Sequence, residues 1–570
     1  MLGLVAAVVL VWLGFALAML WSARAATRAG VDRLERARDV LTPEGIVDGE
    51  GVDLLRTARA DFERARERVR SPWVAPLRAV PVLGRQVRSV DSLTAAASDV
   101  VDIGVDASEA ARAELERTPA DAGSRARTAA RLAAIARRAD ESLTGIDLGP
   151  ADGLVGPLRD ARSRFVDELT GLRDATRRVR LGSLAFARFL EGPSRYLVVA
   201  ANNNEMRIGS GTFLSVGQLD VSDGALDLSD MRSVGDVDVP PGAVTIGGDL
   251  ADLWGWLQPQ VEWQNLAASP RFETQASVAA QMWRAATGAD VDGVIVLDPV
   301  ALRALLLATG PVVVEGVEYS AGNVLDELYL RQYEVVDEGS FNFANAARRD
   351  RLAAIARAVL TRFDEGGYAA VDLFEALRDA ALGRHVLVWA RDPEMQRGWE
   401  AARVAGVLEP DSFIFGLHNR AANKLDQFLE IRAELQMSGE ELEVAVEVVN
   451  RAPEGLPAYV EGPAPGAQGA AAGLYQGLLT FVLPPGVGTP SVGQGEAVLE
   501  PVALGPDGPY GTIAAYVEVP RGEARAFVLR ARLHPDLERL RIEPSARVPE
   551  VTWTFRGASW PDDRARTVHR

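Results

Sequence analysis

The sequence predicts a multidomain α+β protein: an N-terminal transmembrane helix, a helical bundle, a central α/β domain and a C-terminal β-sandwich. Three observations predict this class. The chain opens with an uncharged apolar run, it continues with apolar residues at helical spacing, and it then changes to strand-like runs that first alternate with helices and later stand between Pro- and Gly-rich turns. At 570 residues the chain is also too long for one hydrophobic core.

The first 22 residues predict a transmembrane anchor. Met1–Ser22 contains no charged residue, and a run of this length spans a hydrocarbon core of ~30 Å as a helix. Ala16-Leu17-Ala18 offers a site for signal-peptide cleavage, but the apolar run is longer than a usual signal peptide core, so we expect a retained anchor. Arg24, Arg28 and Arg33 follow the run, and the positive-inside rule alone would therefore place the body in the cytoplasm.

A helical bundle is predicted over residues 23–189. Apolar residues recur there at helical spacing, as at Leu55, Phe62 and Val69, and prolines such as Pro81 interrupt the pattern. Such a bundle would hold the rest of the body away from the bilayer or would bind a protein partner through an apolar stripe. The sequence does not choose between these roles.

Residues 190–427 predict an α/β domain, because strand-like and helical runs alternate. The predicted strands are Tyr196–Ala201, Gly211–Val221, Val291–Leu297 and Val312–Val314, and the predicted helices are Thr274–Thr287, Pro299–Ala308, Asn323–Gln332 and Ala344–Phe363. Residues 428–557 then predict an antiparallel β-sandwich from Leu442–Val449, Leu478–Val482, Thr512–Val519 and Ala526–Leu533. Residues 558–570 are expected to form a tail.

Composition excludes several classes of function. The formal charge of -18 and the pI near 4.9 argue against a nucleic-acid partner, because phosphate backbones bind basic faces. The chain has no cysteine, so it has no disulfide framework, thiol nucleophile or thiolate metal site. Its four histidines are scattered without the spacing of metal ligands. Lys424 is its only lysine, and all other basic side chains apart from histidine are arginine.

Four segments resemble the bacterial family called domain of unknown function 4012. They read YLVVAANNNEMRIGSGTFLSVGQLDVSDG from Tyr196, VDGVIVLDPVALRALLLATGPVVV from Val291, NVLDELYLRQY from Asn323 and VVNRAPEGLPAYV from Val448. Members of this family are membrane-anchored and extracytoplasmic. The resemblance therefore implies a single-pass protein of the cytoplasmic membrane whose body lies outside the cell's cytoplasm.

The central domain is also similar to the LytR/CpsA/Psr family, whose members transfer glycopolymers from a polyprenyl-pyrophosphate carrier to the cell wall. The similarity lies in Val291-Asp292-Gly293, in Leu305–Val314, in Tyr329-Leu330-Arg331 and in Arg348-Arg349-Asp350-Arg351, which starts the next predicted helix. It implies a LytR/CpsA/Psr-like fold and a polyprenyl-phosphate-linked glycan as partner. The stretch Met231–Asp236 is only a loose counterpart of that family's Ser-Ile-Pro-Arg-Asp motif, and Asn202–Glu205 replaces its early metal-associated aspartate.

Candidate site residues follow from the chemistry of lipid pyrophosphates, which needs guanidinium groups around the phosphates and a carboxylate or Mg²⁺ near the reacting oxygen. Glu205 and Asp236 are the candidate catalytic carboxylates. The candidate ligand-binding residues are Asn203, Asn204, Arg207, Arg331, Arg348 and Arg349, and the resemblance to the LytR/CpsA/Psr family adds Arg232, from Met231–Asp236, and Asn265. The metal is unknown, and Mg²⁺ is the candidate cofactor. We expect Arg207, Arg331 and one arginine of the 348–349 pair to meet in one cleft with Glu205.

Structural roles remain open for the same residues. Glu205 and Arg207 could form a local ion pair, and the arginines at 348–349 could form a solvated helix face. The run Asn202–Asn204 predicts a turn at a sheet edge, and the Gly209-Ser210-Gly211 run could present backbone N–H groups to an anion.

The expected function is an extracytoplasmic, membrane-anchored protein of bacterial cell-envelope or surface-polysaccharide assembly that binds a phosphorylated lipid-linked glycan or a similar anion. The alternative is a non-catalytic scaffold of a membrane complex, with protein partners bound through the helical bundle. A glycopolymer phosphotransferase-like activity is what the second resemblance implies, and the residues alone leave the question of catalysis open.

Overall fold

The computed structural model describes residues 2–40, 43–117, 121–334, 341–421, 423–463 and 471–570. The chain forms two compact units. The first consists of Met1–Pro119, Ser124–Arg188 and Ala369–Glu375, and the second of Ala120–Gly123, Phe189–Tyr368 and Ala376–Arg570. The N-terminal region is helical and the C-terminal part carries β-sheets, which confirms the multidomain α+β class.

The N-terminal region contains α1 (Leu2–Val40), α2 (Pro43–Asp48), α3 (Glu50–Val69), α4 (Pro81–Leu115), α5 (Ala122–Thr144) and α6 (Gly156–Glu191). Leu55 and Phe62 of α3 share a buried cluster with Ala37 of α1 and with Val101 and Val105 of α4. Spacings of four and seven residues place these side chains on one face of each helix, so the predicted helical periodicity describes a packed core.

The described residues contain no helix that is long and apolar enough to cross a membrane. Residues 2–22 of the predicted anchor lie in α1, residue 1 lies outside the described residues, and so do the side chains of residues 2–14, 16, 17 and 20.

The second unit contains a central six-stranded sheet. Its strands are β1 (Ser194–Arg207), β2 (Ser210–Ser222), β3 (Ala225–Leu228), β4 (Arg232–Ser233), β5 (Gly293–Leu297) and β8 (Val386–Ala390). The strand order is β3-β2-β1-β5-β8, and β4 pairs with β2. The neighbours β1 and β5 run parallel, whereas β1 with β2 and β5 with β8 run antiparallel. The sheet is therefore mixed.

Helices and a hairpin accompany this sheet. The helices are α7 (Gly248–Trp254), α8 (Phe272–Thr287), α9 (Pro299–Thr309), α10 (Val324–Tyr329), α11 (Phe341–Glu365), α12 (Ala370–Leu382) and α13 (Pro393–Ala401), and the hairpin pairs β6 (Val312–Val314) with β7 (Val317–Tyr319). Leu197 and Val199 of β1 share one buried cluster with Phe272 and Met282 of α8. The apolar first part of β1 therefore packs in the core, and this packing positions the polar residues Asn202–Arg207 that follow in the same strand.

Two further sheets complete the second unit. One has the order β14-β13-β17-β11-β10-β19-β20 and the other β15-β16-β12-β9-β18-β21. Their strands are β9 (Ser412–Asn419), β10 (Leu429–Ser438), β11 (Glu441–Asn450), β12 (Tyr475–Leu483), β13 (Ser491–Gln494), β14 (Ala497–Val498), β15 (Pro501–Asp507), β16 (Tyr510–Val519), β17 (Ala524–Arg532), β18 (Arg539–Ile542), β19 (Thr552–Phe555), β20 (Ala558–Pro561) and β21 (Arg566–His569), and the short α14 (Ala458–Glu461) lies between β11 and β12.

These two sheets share a core. In β10 the residues alternate between buried and exposed, and Ile431 and Leu435 meet Phe413 and Phe415 of β9 and Trp553 of β19 in one cluster. Alternation of this kind is expected for a strand with one buried face.

The domain boundaries in the structure differ from those drawn on the sequence. Strand β9 lies in the six-stranded C-terminal sheet, although the sequence boundary at 427/428 assigned it to the α/β domain. Residues 558–570, expected to be a tail, contain β20 and β21, which pair with β19 and β18. The positions of β9 and β21 arise from pairing with strands distant in sequence, β12 and β18, which local patterns do not encode, whereas β20 forms a hairpin with β19 that the sequence analysis did not recognise.

Candidate functional site

The asparagine run continues strand β1, so the prediction of a turn at Asn202–Asn204 is wrong. The register with β2 shifts between Asn202 and Met206, as at a β-bulge, and the chain turns only after Arg207. Asn203 and Asn204 are fully buried. Their side-chain amides form hydrogen bonds inside the protein. They therefore do not need contact with water, which is the reason that asparagine usually favours an exposed turn.

Asn203 lies at the centre of a buried hydrogen-bond network. Its Nδ2 donates to Asp298 Oδ2 at 3.0 Å and to the carbonyl of Ala546 at 3.1 Å, and its Oδ1 accepts from the Tyr329 hydroxyl at 2.5 Å. Asp298 also contacts His385 Nδ1 at 2.6 Å and accepts from the first backbone N–H groups of α9. Burial raises the pKa of Tyr329 well above its usual value, so the hydroxyl stays a donor.

Glu205 forms an ion pair with Lys424, the only lysine of the chain. The ammonium is buried and lies 4.6 Å from the ring centre of Tyr459 and 5.6 Å from that of Tyr333. Burial lowers the pKa of Lys424 to about 7, and the negative charge of Asp426 opposes that shift. Glu205, a candidate catalytic carboxylate, is thus paired with Lys424, a buried cation that the sequence analysis did not select as a site residue.

Asp426 is a fully buried carboxylate close to this pair, whereas Glu205 is only partly buried. Its oxygens accept from Arg547 Nη1 at 2.8 Å, from Asn419 Nδ2 at 2.9 Å and from the backbone N–H of Met206 at 3.2 Å. These contacts join the end of β1 to the residues before β10 and to Arg547. The end of β1 is therefore held by the C-terminal part of the chain.

Arg207 is buried beside Asp426 without a carboxylate in hydrogen-bond contact among the described residues. Its Nη1 donates to the carbonyls of Met206 and Asn419, both at 2.9 Å. Burial, and then the charge of Arg420, lower the pKa of Arg207 to about 10.

Arg331 lies apart from Arg207, in a short 3₁₀ helix after α10. It is exposed, and its Nη1 pairs with Glu327 at 3.0 Å. The two arginines share no hydrogen-bond partner in the part of the chain that the structure describes. The side chains of Arg348 and Arg349, in α11, lie outside the described residues. The described contacts thus do not bring Arg331 to Glu205 and Arg207.

Arg331 instead lines a pocket of about 240 Å³ together with Arg351 of α11. Arg351 pairs with Glu315 at 3.0 Å. The apolar part of the lining comes from the β6–β7 hairpin, α10 and α11, and it includes Tyr319, Leu328 and Ile355. Glu327 and Glu334 also line the pocket, so its two guanidinium groups have acidic neighbours. The pocket thus combines two guanidinium groups with an apolar wall, which consists of Tyr319, Leu328 and Ile355.

The remaining predicted residues lie elsewhere. Arg232 and Asp236 are exposed, and Arg232 Nη2 donates to the backbone carbonyl of Asp236 at 2.5 Å. Asn265 Nδ2 donates to the carbonyl of Leu257 at 2.9 Å, and its Oδ1 lies 3.5 Å from Arg420 Nη1. The N–H of Gly209 donates to the carbonyl of Ala267 at 3.0 Å, so this N–H is not available to an anion.

Sequence reasoning missed four buried residues near the end of β1: Lys424, Asp426, Arg547 and, in β9, His418. One signal was present, since Lys424 is the only lysine in the chain. Lysine loses its charge on burial more readily than arginine, so a single lysine in an arginine-rich chain marks a position with special requirements. The described residues contain no group of three or more histidine, aspartate and glutamate side chains that could hold a metal ion.

Comparison with known proteins gives one match. Residues 191–333 match the model of a family described as "Protein of unknown function (DUF4012)". That segment begins just before β1 and ends at Tyr333, so it includes the asparagine run and Arg331. No curated protein and no solved structure matches the chain.

Proposed function

We propose that this chain, which belongs to the DUF4012 family through residues 191–333, is a membrane-anchored extracytoplasmic protein. It acts in bacterial cell-envelope or surface-polysaccharide assembly. Its ligand in this proposal is a phosphorylated lipid-linked glycan or a similar anion. The observation that carries the proposal is the pocket in which Arg331 and Arg351 lie beside an apolar wall. Residues 1–22 would supply the anchor, and the resemblance to membrane-anchored proteins supports the orientation.

The pocket suits a phosphorylated head group with an apolar neighbour. Two planar guanidinium groups can each bind phosphate oxygens through two N–H donors. Their present partners do not prevent this, because exposed ion pairs contribute only about 0–1 kcal/mol. Arg331 is paired with Glu327 and Arg351 with Glu315; Arg331 is exposed and Arg351 is half-buried. A phosphate with two negative charges should therefore compete well with Glu327 for Arg331 and with Glu315 for Arg351.

The apolar wall favours a lipid-linked phosphate over a free sugar phosphate. Tyr319, Leu328 and Ile355 line the pocket next to the arginines. They offer contact area for the first carbons of a polyprenyl chain. A volume of about 240 Å³ holds a head group and a short part of the chain, so the rest of a lipid would stay in the membrane.

Binding, rather than transfer, is the activity we propose. Glu205, one candidate catalytic carboxylate, forms a buried ion pair with Lys424, and Asp236, the other, is exposed beside Arg232. A general base has to lie within hydrogen-bond reach of the proton that it removes. Neither carboxylate lines the arginine pocket.

The experiment measures binding of a short-chain polyprenyl diphosphate analogue to the purified full chain by calorimetry. Arg331→Gln and Arg351→Gln should each weaken the Kd by about tenfold or more, because a hydrogen bond to a charged group contributes about 1.5–3 kcal/mol. The control is Arg432→Gln, which removes an exposed ion pair with Glu447 on β10 and β11. An unchanged Kd in the Arg331→Gln/Arg351→Gln double variant would refute the pocket.

A scaffold is the second candidate, and one observation in the first unit favours it. A cavity of about 700 Å³ there is lined by Arg70 and by several acidic side chains, among them Asp91, Asp99, Asp102 and Glu141. Such a surface fits a cationic segment of a protein partner. If Asp99→Arg abolishes function in cells while the arginine double variant keeps it, the scaffold role is favoured.

A further inference from the structure

The buried charges at the end of β1 do not balance. Glu205 is matched by Lys424, and Asp426 by Arg547. Arg207 remains as a buried guanidinium without an ion-pair partner among the described residues. Its Nη1 donates to two backbone carbonyls, but its buried Nε has no hydrogen-bond partner there. A buried cation of this kind is costly unless an anion compensates it.

His418 also has buried nitrogen atoms without hydrogen-bond partners among the described residues. It lies in β9, is fully buried and stacks on Trp254 with ring centres 5.1 Å apart. Neither ring nitrogen has a partner among the described residues. A neutral imidazole carries one donor and one acceptor, and leaving a buried polar group unpaired costs about 1–3 kcal/mol. Two separate side chains thus lack partners in one region.

The backbone at Asn419 connects these side chains. Arg207 donates to the carbonyl of Asn419, and His418 and Arg420 are the residues on either side of Asn419. Arg420 is exposed, and its guanidinium lies 5.6 Å from the ring centre of Trp256. Burial is the largest cause of the lowered pKa of Arg207 and of His418, and the positive charge of Arg420 lowers both further, as expected for a neighbour. Asp426 also acts on Arg207, but its oxygens are occupied by other donors.

We propose that Arg207, His418 and Arg420 form a binding site for one small inorganic anion, either a halide or a phosphate-like oxyanion. The Nε–H of Arg207 and a ring N–H of His418 supply donors from the buried side, and Arg420 supplies a cation from the exposed side. The anion would neutralise the surplus positive charge between β1 and β9. This site is separate from the pocket of Arg331 and Arg351, and it does not depend on a glycan ligand.

The test compares thermal unfolding of the purified full chain in chloride, bromide, phosphate and gluconate at constant pH and ionic strength. Gluconate serves as the bulky anion that the site should reject. A bound anion should raise the Tm by about 1–2 °C at concentrations several times its Kd, because the second unit is large. Arg420→Gln should lose most of this rise, and Arg420→Lys should keep part of it, because it retains the charge.

Two controls separate the possible outcomes. Arg432→Gln reports general salt effects on an exposed arginine, and Arg331→Gln reports binding in the other pocket. Both should keep the full rise in Tm that chloride and bromide cause, whereas in phosphate Arg331→Gln should lose only the part that the other pocket contributes. Bromide located by anomalous scattering beside Arg207 and His418 would support the proposal. Equal Tm values in all four anions, water alone at that position, or loss of the chloride- and bromide-induced rise in Arg331→Gln would each overturn it.

Discussion

Lys424 and Glu205 form an ion pair that ties strand β1 of the central sheet to the segment that leads into β10. The lysine is the more deeply buried partner, and two tyrosine rings lie next to its ammonium. The pair connects residues 219 positions apart in the sequence. The position of β1 therefore depends on side chains outside the segment that matches the family.

Removing one partner of this pair should destabilise the second unit strongly. At pH 6, where Lys424 is charged, Lys424→Met leaves the partly buried carboxylate of Glu205 without its cation, and breaking a buried pair costs up to about 3–5 kcal/mol. The double variant Lys424→Met/Glu205→Gln should recover much of this loss. Denaturant unfolding followed by tryptophan fluorescence measures both. The exposed control Arg432→Gln should stay within about 0.5 kcal/mol of the parent.

Arginine should not replace the lysine. The guanidinium is larger and keeps its charge on burial, whereas Lys424 lies among buried rings. We expect Lys424→Arg to lower the free energy of unfolding by about 1–3 kcal/mol, as overpacked cores do. A variant as stable as the parent would contradict this explanation of the single lysine.

Stability should depend on pH through Lys424. Burial lowers its pKa from 10.5 to about 7 in the folded chain, so the unfolded chain binds more protons between these values. The free energy of unfolding should thus rise as pH increases from about 7 to about 10, with a slope of up to about 1.4 kcal/mol per pH unit. Urea titrations at several pH values measure the slope. Lys424→Met should remove this contribution, and an identical slope in both proteins would exclude it.

Replacing Asn203 should lower the free energy of unfolding more than replacing an asparagine that makes fewer hydrogen bonds. Asn203→Ala removes three hydrogen bonds and leaves the Tyr329 hydroxyl and Asp298 short of a partner. We expect a loss of about 2–4 kcal/mol, since buried unpaired groups cost about 1–3 kcal/mol each. The matched control Asn265→Ala removes the amide that donates to the Leu257 carbonyl, and it should lose about 1 kcal/mol. Equal losses measured by chemical denaturation would show that the network contributes nothing special.

Gly211 should not tolerate a side chain. A Cβ there would lie 2.3 Å from the backbone carbon of Asn202, on the facing strand β1. Gly211→Ala should therefore lower stability by about 1–3 kcal/mol, because the two strands must move apart. Gly511 in β16 has open space at the same position, and Gly511→Ala should be neutral. Thermal unfolding of the two variants side by side checks the difference.

Local patterns predicted elements well where one face of a strand or helix is apolar. The run from Pro299 becomes α9, and Leu442–Val449 lies within β11. The asparagine run failed because its amides find partners at Asp298, Tyr329 and Ala546, which are 95 or more residues away. Similarly, Glu205 looked like a catalytic carboxylate, since nothing nearby in the sequence indicates Lys424. Pairings over such distances follow from the tertiary fold and not from spacing.

Strand β8 bears on how this protein can be dissected. It covers the edge of β5 in the central sheet, yet it begins at Val386, beyond the end of the family match at residue 333. A fragment cut to residues 191–333 would present β5 as a bare edge, and it would also lack Lys424 and Asp426. Unpaired edges recruit other chains. Such a fragment is expected to form inclusion bodies, whereas one that runs from residue 189 to residue 570 keeps every strand of the second unit.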